Sequence, residues 1–379
     1  MSGIYIHIPF CKQACSYCDF HFSTNLKLQD ATVLAICSEI RTRKNFLTAL
    51  PTSIYFGGGS PSILSNENLN RIFESLRDSF DLSQLDEVTL ESNPDDHNLE
   101  KLSHWKSLGI NRLSIGIQSF INRDLKLMNR AHSAQHAIDC VGKAKETGFT
   151  NLTIDLIYGI PGQSFDEWSQ NVKAAIDLNT DHISAYCLTV EPKTALDHQI
   201  NKGLVTEKSD EEIEREYLFL HESLEKAGFK HYEISNYAKS GKEAKHNANY
   251  WSGKSYLGIG PSAHSFDGRM ERRWNISNNA LYIKHIQNET PYFESEVLTE
   301  RERINEEIMT GLRTAPGFQF SNWPLPFQKS LQKNLSECTP DLKSKLILSE
   351  TRVRLKPEFW LIADAVIREL IILEDEAMT

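Results

Sequence analysis

The chain has 379 residues, 40% of them hydrophobic and 24% charged, the balance of a globular protein built from one large domain or two smaller ones. Its 41 Lys and Arg against 51 Asp and Glu leave a net charge of -10, which gives no electrostatic basis for nucleic acid or an anionic membrane as partner. The amino terminus lacks the charged and apolar regions of a secretion signal, and no apolar run is long enough for an integral membrane span. The seven cysteines therefore fit a reducing, cytoplasmic setting.

Through the first half of the chain, short runs rich in β-branched and aromatic residues alternate with helical patterns. Strands are predicted at Ile4–Ile8, Ser53–Phe56, Glu87–Leu90, Arg112–Ile117, Leu152–Ile157 and His182–Cys187, and helices at Asp30–Phe46, Asn66–Phe80, Leu99–Leu108, Ala134–Thr147 and Phe165–Leu178. Gly109 and Gly148 close two of these helices. Six βα repeats predict an α/β fold with a parallel sheet, a (β/α)6 partial TIM-type barrel rather than a short doubly wound sheet. After Gly203 the rhythm changes. Ser209–Ala227 is a charged amphipathic helix, Tyr232 to Trp274 is read as a loop-rich aromatic stretch, and short helices with a hairpin near Leu346–Leu355 follow Thr299. The expected division is a barrel with an extension over 1–298 and a small, mainly helical domain over 299–379.

Three of the cysteines fall within Cys11-Lys12-Gln13-Ala14-Cys15-Ser16-Tyr17-Cys18, a CxxxCxxC motif in the loop after the first strand. Three thiolates on one short loop can hold three corners of a 4Fe–4S cubane and leave the fourth iron open to an exchangeable ligand. The rival is a structural zinc site, which needs four ligands. No second CxxC pair exists, and only His7 or His21 could complete the set. Cys37, Cys140, Cys187 and Cys338 are scattered and read as buried small hydrophobes.

Polar groups recur where the next strands end. Gly57-Gly58-Gly59-Ser60-Pro61 offers backbone that can approach a ligand, without the Gly-Lys-Ser/Thr ending of a P-loop. Glu91 ends the third strand, Gln118 ends the fourth, and Asp155 lies within the apolar run of the fifth. A carboxylate placed there needs a partner, for which Arg130 is the candidate. In Gly258-Ile259-Gly260-Pro261-Ser262-Ala263-His264-Ser265 the glycines suit a loop closing over a ligand.

The cysteine loop and the order of these motifs resemble the radical S-adenosylmethionine superfamily, in the branch holding the oxygen-independent coproporphyrinogen III oxidases (HemN) and the heme chaperones (HemW). The likeness runs from Tyr5 to about Phe266 and is weaker beyond, where it implies a winged-helix-like domain. It implies a 4Fe–4S cluster on Cys11, Cys15 and Cys18, with S-adenosylmethionine surrounded by Tyr5, Gly58, Gly59, Ser60, Glu91, Gln118, Arg130 and Asp155.

Two features separate the branches. The oxidases carry a fourth cysteine two residues after the third, where this chain has Phe20, as the chaperones do. His246-Asn247-Ala248-Asn249-Tyr250-Trp251 matches the HNxxYW motif that the chaperones use for heme. An imidazole can ligate iron and aromatic rings can cover a porphyrin face, so the expected heme residues are His246, Asn247, Tyr250 and Trp251. His7, His21, His132 and His264 are further candidate ligands. The resemblance implies heme binding and transfer to acceptor hemoproteins, respiratory ones among them, from a monomer or a homodimer and without coproporphyrinogen III oxidase activity. The alternative is the oxidase itself, in which a 5′-deoxyadenosyl radical takes hydrogen from a propionate side chain. A zinc-bound interaction protein is the third reading.

Overall fold

The computed structural model describes residues 2–373. Ser2–Ile8 (β1), Pro51–Gly58 (β2), Glu87–Ser92 (β3), Arg112–Gln118 (β4), Asn151–Tyr158 (β5) and His182–Cys187 (β6) lie side by side in chain order, all parallel. The chain returns between them through α1 (Gln29–Thr42), α2 (Asn66–Ser79), α3 (Leu99–Leu108), α4 (Asn122–Leu127), α5 (Ala134–Glu146) and α6 (Phe165–Asp177). Helix starts follow local chemistry: Ser133 and Ser164 accept from the third backbone N–H of α5 and α6, and His136 and Glu167 reach back to complete capping boxes. Gly109 ends α3 at φ 100°, where a side chain would strain the backbone.

The strands carry two different rows of side chains. One row, Ile54 and Phe56 on β2, Val88 and Leu90 on β3, Leu113 and Ile115 on β4, Ile154 and Leu156 on β5, is buried with the helices in the hydrophobic core. Phe56 stacks on Phe73 of α2 with ring centroids 5.2 Å apart. The alternate row is polar or aromatic and faces the barrel interior: Tyr5 on β1, Ser53 and Tyr55 on β2, Glu87 and Glu91 on β3, Arg112 and Ser114 on β4, Asp155 on β5, Ser184 and Tyr186 on β6. Register sets these residues in layers, with Tyr5 beside Tyr55 and Thr89, and Glu91 beside Ser114.

Beyond β6 come α7 (Ala195–Asn201) and α8 (Asp210–Lys226), then β7 (Lys230–Glu233), β8 (Asn236–Ala238), α9 (Lys245–Trp251), β9 (Tyr256–Ile259), β10 (His264–Phe266) and β11 (Glu271–Asn275). Most of the stretch expected as loop is thus built of short elements. They pair locally with one another and join the main sheet through two distant partners: β9 pairs parallel with β1, and β8 pairs antiparallel with β6. After α10 (Asn279–Gln287), β12 (Phe293–Val297) completes a sheet of 12 strands that stays open, with β12 and β7 at its two ends.

The remainder contains α11 (Glu300–Gly311), β13 (Phe318–Gln319), α12 (Leu325–Glu337), α13 (Pro340–Lys345), the expected hairpin as β14 (Leu346–Leu348) and β15 (Arg352–Leu355), and α14 (Ala363–Leu370). It covers the β7 edge, where Ile234 N–H donates to Arg313 O at 2.8 Å and Ala315 N–H to Tyr232 O at 3.0 Å. One hydrophobic core runs from β1 through to Trp360 and Leu370. Among the described residues no helix is long and apolar enough to cross a membrane.

Phe56→Ala is expected to destabilise the chain by about 3–5 kcal/mol through its cavity, whereas Leu99→Ala, at an exposed position, is expected to stay within about 0.5 kcal/mol of wild type. Urea denaturation of both variants checks the assignment of the helix-facing row.

Candidate functional site at the mouth of the barrel

The C-terminal ends of the parallel strands enclose a cavity of about 600 Å³. The three cysteines of the loop after β1 line it, together with Gly58, Gly59, Ser60, Glu91, Gln118, Arg130 and Asp155.

The loop that carries the cysteines is short of its own structure and is held from outside. Asn129, at φ 54°, donates from Nδ2 to Ala14 O at 2.7 Å and accepts at Oδ1 from Gln13 at 2.6 Å. Ser16 donates to Leu127 O at 2.8 Å, and its N–H to Met128 O at 3.1 Å. Lys12 reaches Asp95 at 2.8 Å and also pairs with buried Asp96. The residues following α4 thus form the cradle of the cysteine loop.

The glycine turn after β2 closes the other side. Its N–H groups bond backward, Gly59 to Ile8 O at 2.9 Å and Ser60 to Phe10 O at 2.7 Å. A Cβ on Gly59 would stand 2.6 Å from Phe10 O, and Gly58, at φ 106°, has the His7 ring 2.6 Å from where its Cβ would be. Close approach of backbone to the cysteine loop alone requires these glycines.

The thiols have polar company. Arg130 Nη1 lies 3.3 Å from Cys15 Sγ, and Ser60 Oγ donates toward Cys11 Sγ at 3.8 Å. Burial pushes the Cys11 thiol up to about 11, and the neighbouring Cys15 and Cys18 add to the rise while the Ser60 hydroxyl opposes it. Three thiols lining one cavity beside a guanidinium fit a group larger than a single ion that binds all three as thiolates and shares their charge, as an iron–sulfur cluster does. Among the described residues no three His, Cys, Asp or Glu side chains gather closely enough to hold one metal ion.

Arg130, expected as the partner of Asp155, makes no hydrogen bond or ion pair with it and eases its charge only through space. Its Nη2 donates to Asn93 Oδ1 at 2.6 Å and to Gly116 O at 2.7 Å. Asp155 instead accepts from Ser114 at 3.3 Å and from Ser184, the neighbours that register places beside it. Asn93 joins the two halves of the site by donating to Ser60 Oγ at 2.7 Å; only its position two residues after Glu91 could have signalled it.

Burial holds the Glu91 carboxyl up at about 7, with Asp155 raising it further and the Tyr55 hydroxyl and Gly58 N–H opposing. Burial likewise holds Asp155 at about 6, eased by Ser184, Arg112 and Ser114. Gln118 ends β4 at φ 69°, beyond an irregularity in the β4–β5 register, a strained backbone of the kind that clusters at binding sites.

Other expected residues lie elsewhere. Tyr5 does not line the cavity; it points into the barrel below, its hydroxyl 3.1 Å from His7 Nδ1. The 258–265 segment is packed beside β1 rather than over the cavity, because Gly260 is backed by His7 O and its N–H donates to buried Glu39 at 2.8 Å. Cys37, Cys140 and Cys338 are buried, but Cys187, ending β6, lines the cavity rim.

The His246 motif forms α9 and closes the opposite end of the barrel. Glu87, at the start of β3, accepts from the His246 and Lys245 N–H groups at 3.0 Å each. His246 is 2% exposed; its Nδ1 meets Ser53 Oγ at 2.8 Å and its Nε2 meets the Tyr250 hydroxyl at 3.1 Å. Burial, then Arg112, lowers its pKa to about 3. Asn247, Tyr250 and Trp251 are partly exposed, and the Trp251 indole bonds buried Glu233.

Glu91 and Asp155 have folded pKa values above those of an unfolded chain, so the stability they contribute is full below about pH 4. It is lost as pH rises through about 6 and about 7. The apoprotein is expected to lose more stability between pH 5 and pH 8 than its Glu91→Gln/Asp155→Asn variant. Urea midpoints at both pH values measure this, and equal losses would contradict it.

The chain can now be set beside known proteins. Residues 5–175 match the family model of the radical SAM superfamily. The chain is 35% identical to the heme chaperone HemW of Bacillus subtilis, over 97% of this chain and 98% of that one. It is 33% identical to the heme chaperone HemW of Mycobacterium tuberculosis, over 97% and 94%. In structure it resembles coproporphyrinogen III oxidase HemN from Escherichia coli, with a TM-score of 0.84, 22% identity, and coverage of 98% of this chain and 90% of that one, a likeness of fold. The three thiols lining the mouth of a parallel barrel and the near full-length identity lead to one conclusion: the chain belongs to the HemW heme chaperone family within the radical SAM superfamily.

Proposed function

We propose that the chain binds heme and delivers it to acceptor hemoproteins in the cytoplasm, respiratory ones among them, while holding a 4Fe–4S cluster and S-adenosylmethionine at the barrel mouth. The observation that carries this reading is the end-to-end likeness to heme chaperones. Phe20 supports it, standing 71% exposed at the cavity rim where the oxidases have a further cysteine.

Cys11, Cys15 and Cys18 would hold the cluster, which when bound supplies single electrons. Arg130 offsets thiolate charge beside Cys15 and braces Asn93. Glu91 and Asp155 present acceptors to the ammonium and hydroxyl groups of S-adenosylmethionine, beside Gly58, Gly59, Ser60 and Gln118, with Tyr5 supporting from below.

His246, Asn247, Tyr250 and Trp251 are the proposed heme residues. With Nδ1 held by Ser53, Nε2 is the nitrogen that would face iron, once its contact with Tyr250 opens. A hydrogen bond to the other ring nitrogen fixes the orientation of a ligating imidazole, and the low pKa keeps the ring neutral at physiological pH.

Substituting any of Cys11, Cys15 or Cys18 by Ala is expected to abolish the visible absorbance and iron content of anaerobically reconstituted protein, while Cys140→Ala leaves both unchanged. Full cluster content in a variant lacking all three cysteines would overturn the assignment. Hemin titration followed at the Soret band is expected to saturate at one equivalent for wild type and to weaken at least tenfold for His246→Ala. With coproporphyrinogen III, reductant and S-adenosylmethionine, no protoporphyrinogen is expected. Its appearance, without stoichiometric heme binding, would replace this reading with the oxidase.

A further inference from the structure

We propose that Tyr55 is a positioning residue that couples the two ends of the barrel, so that occupancy of the His246 motif changes the affinity of the mouth for S-adenosylmethionine. The proposal rests on the heme reading above for its effector, and on the packing of the barrel interior for its route.

Tyr55 lies midway along β2, between Ser53 at the floor and Gly57 near the mouth. Its ring stacks on His246 with centroids 5.2 Å apart and planes 28° apart. Its hydroxyl donates to Glu91 Oε1 at 2.7 Å. Tyr5 stacks on the same ring at 6.1 Å. One side chain therefore touches both the imidazole of the floor and the carboxylate of the mouth.

The contacts leave little slack. A Cβ on Gly57 would stand 2.9 Å from Tyr55 Cε1, 3.0 Å from Tyr5 Cε2 and 3.1 Å from Glu91 Cδ. A Cβ on Gly3 would meet the His246 ring at 3.0 Å. Both ring nitrogens of His246 are already engaged, so freeing Nε2 for iron breaks its contact with Tyr250 and lets the ring shift about its remaining bond to Ser53. In close packing that shift is passed to Tyr55, and through its hydroxyl to Glu91. A ligand biases such an element only through its differential interaction with the two arrangements, and the resulting coupling is reciprocal.

The ionisation of Glu91 reports on the contact, because the Tyr55 hydroxyl favours its charged form. The other groups facing it are Asp155 of β5, Arg112 of β4, the Gly58 N–H and the phenols of Tyr5, Tyr186 and Tyr250. Tyr55→Phe keeps the stacked ring and removes only the hydrogen bond, so it separates coupling from folding.

The test titrates reconstituted protein with S-adenosylmethionine by calorimetry from pH 6 to pH 9, with and without one equivalent of hemin. In wild type, hemin is expected to change the affinity about fivefold or more, the lower range of measured allosteric couplings. In Tyr55→Phe the change should fall below about twofold, and the acidic limb of the pH profile should move to higher pH. Hemin that binds but changes both proteins equally, or a pH profile that does not move, would overturn the relay and leave the heme reading standing. If hemin fails to bind wild type, the heme reading fails, and the relay is judged without it. His246→Ala should then alter S-adenosylmethionine affinity in the wild-type background and not in the Tyr55→Phe background; equal effects in both would overturn the relay.

Discussion

The structure depends on what happens when parallel strands alternate apolar and polar side chains in a curved sheet. The apolar row is covered by helices and supplies the core. The polar row has nowhere to go but the barrel interior, where each group must find a partner. Arg112, almost wholly buried, meets this demand by reaching Thr89 at 3.5 Å, Thr153, and Glu87 at 4.0 Å. Glu39 meets it outside the interior by accepting from Tyr282, Asn275 and Gly260, and so fixes the strands that extend the sheet beyond β1. Glu91 and Asp155 meet it only in part, and their raised pKa values are the sign of that shortfall. A site that binds a cationic ligand can be left short of partners in this way, because the ligand completes the set.

The same constraint explains the floor. A barrel lined with polar groups must be stoppered at its N-terminal end, and α9 supplies the stopper. Glu87 caps the helix with its carboxylate, where the backbone N–H groups and the helix dipole favour negative charge, and the His246 ring fills the space that Gly3 leaves open. A motif that reads as a ligand set is thus also a packing element, and the two roles use the same atoms.

Much of this was legible in the sequence. The six parallel strands stand out because their helix-facing rows are apolar and rich in Ile, Val and Leu, and the cysteine spacing announces the chemistry of the mouth without help from the fold. The failures have physical causes. The segment from Tyr232 to Trp274 hides strands of three to five residues, anchored to the sheet through β9 on β1 and β8 on β6, far away in the chain, so its local pattern carries little signal. Charge alone pairs Arg130 with Asp155, whereas register gives Asp155 two serines and geometry gives Arg130 an amide, a carbonyl and a thiol. Cys187 is scattered like the other lone cysteines and differs only in ending a strand at the mouth. Tyr55 sits in an apolar run and shows its two contacts only once α9 is placed beneath it.

The order in which the site's parts occur along the chain has a consequence during synthesis. Most of what builds the mouth is present once Cys187 has left the ribosome: the thiols, the cradle at 127–131 and six strands, with Leu188, Thr189 and Glu191 following at once. The stopper ends at Trp251, 64 residues later, an interval of roughly 3 to 13 seconds at ordinary elongation rates. Until then the curved sheet is uncovered at its lower end, and Glu87 has no helix to cap. The β7 edge, once made, waits longer still for residues 313–315 to cover it. The nascent chain therefore passes through a stage in which one end of its central cavity is largely built and the other is still exposed to solvent.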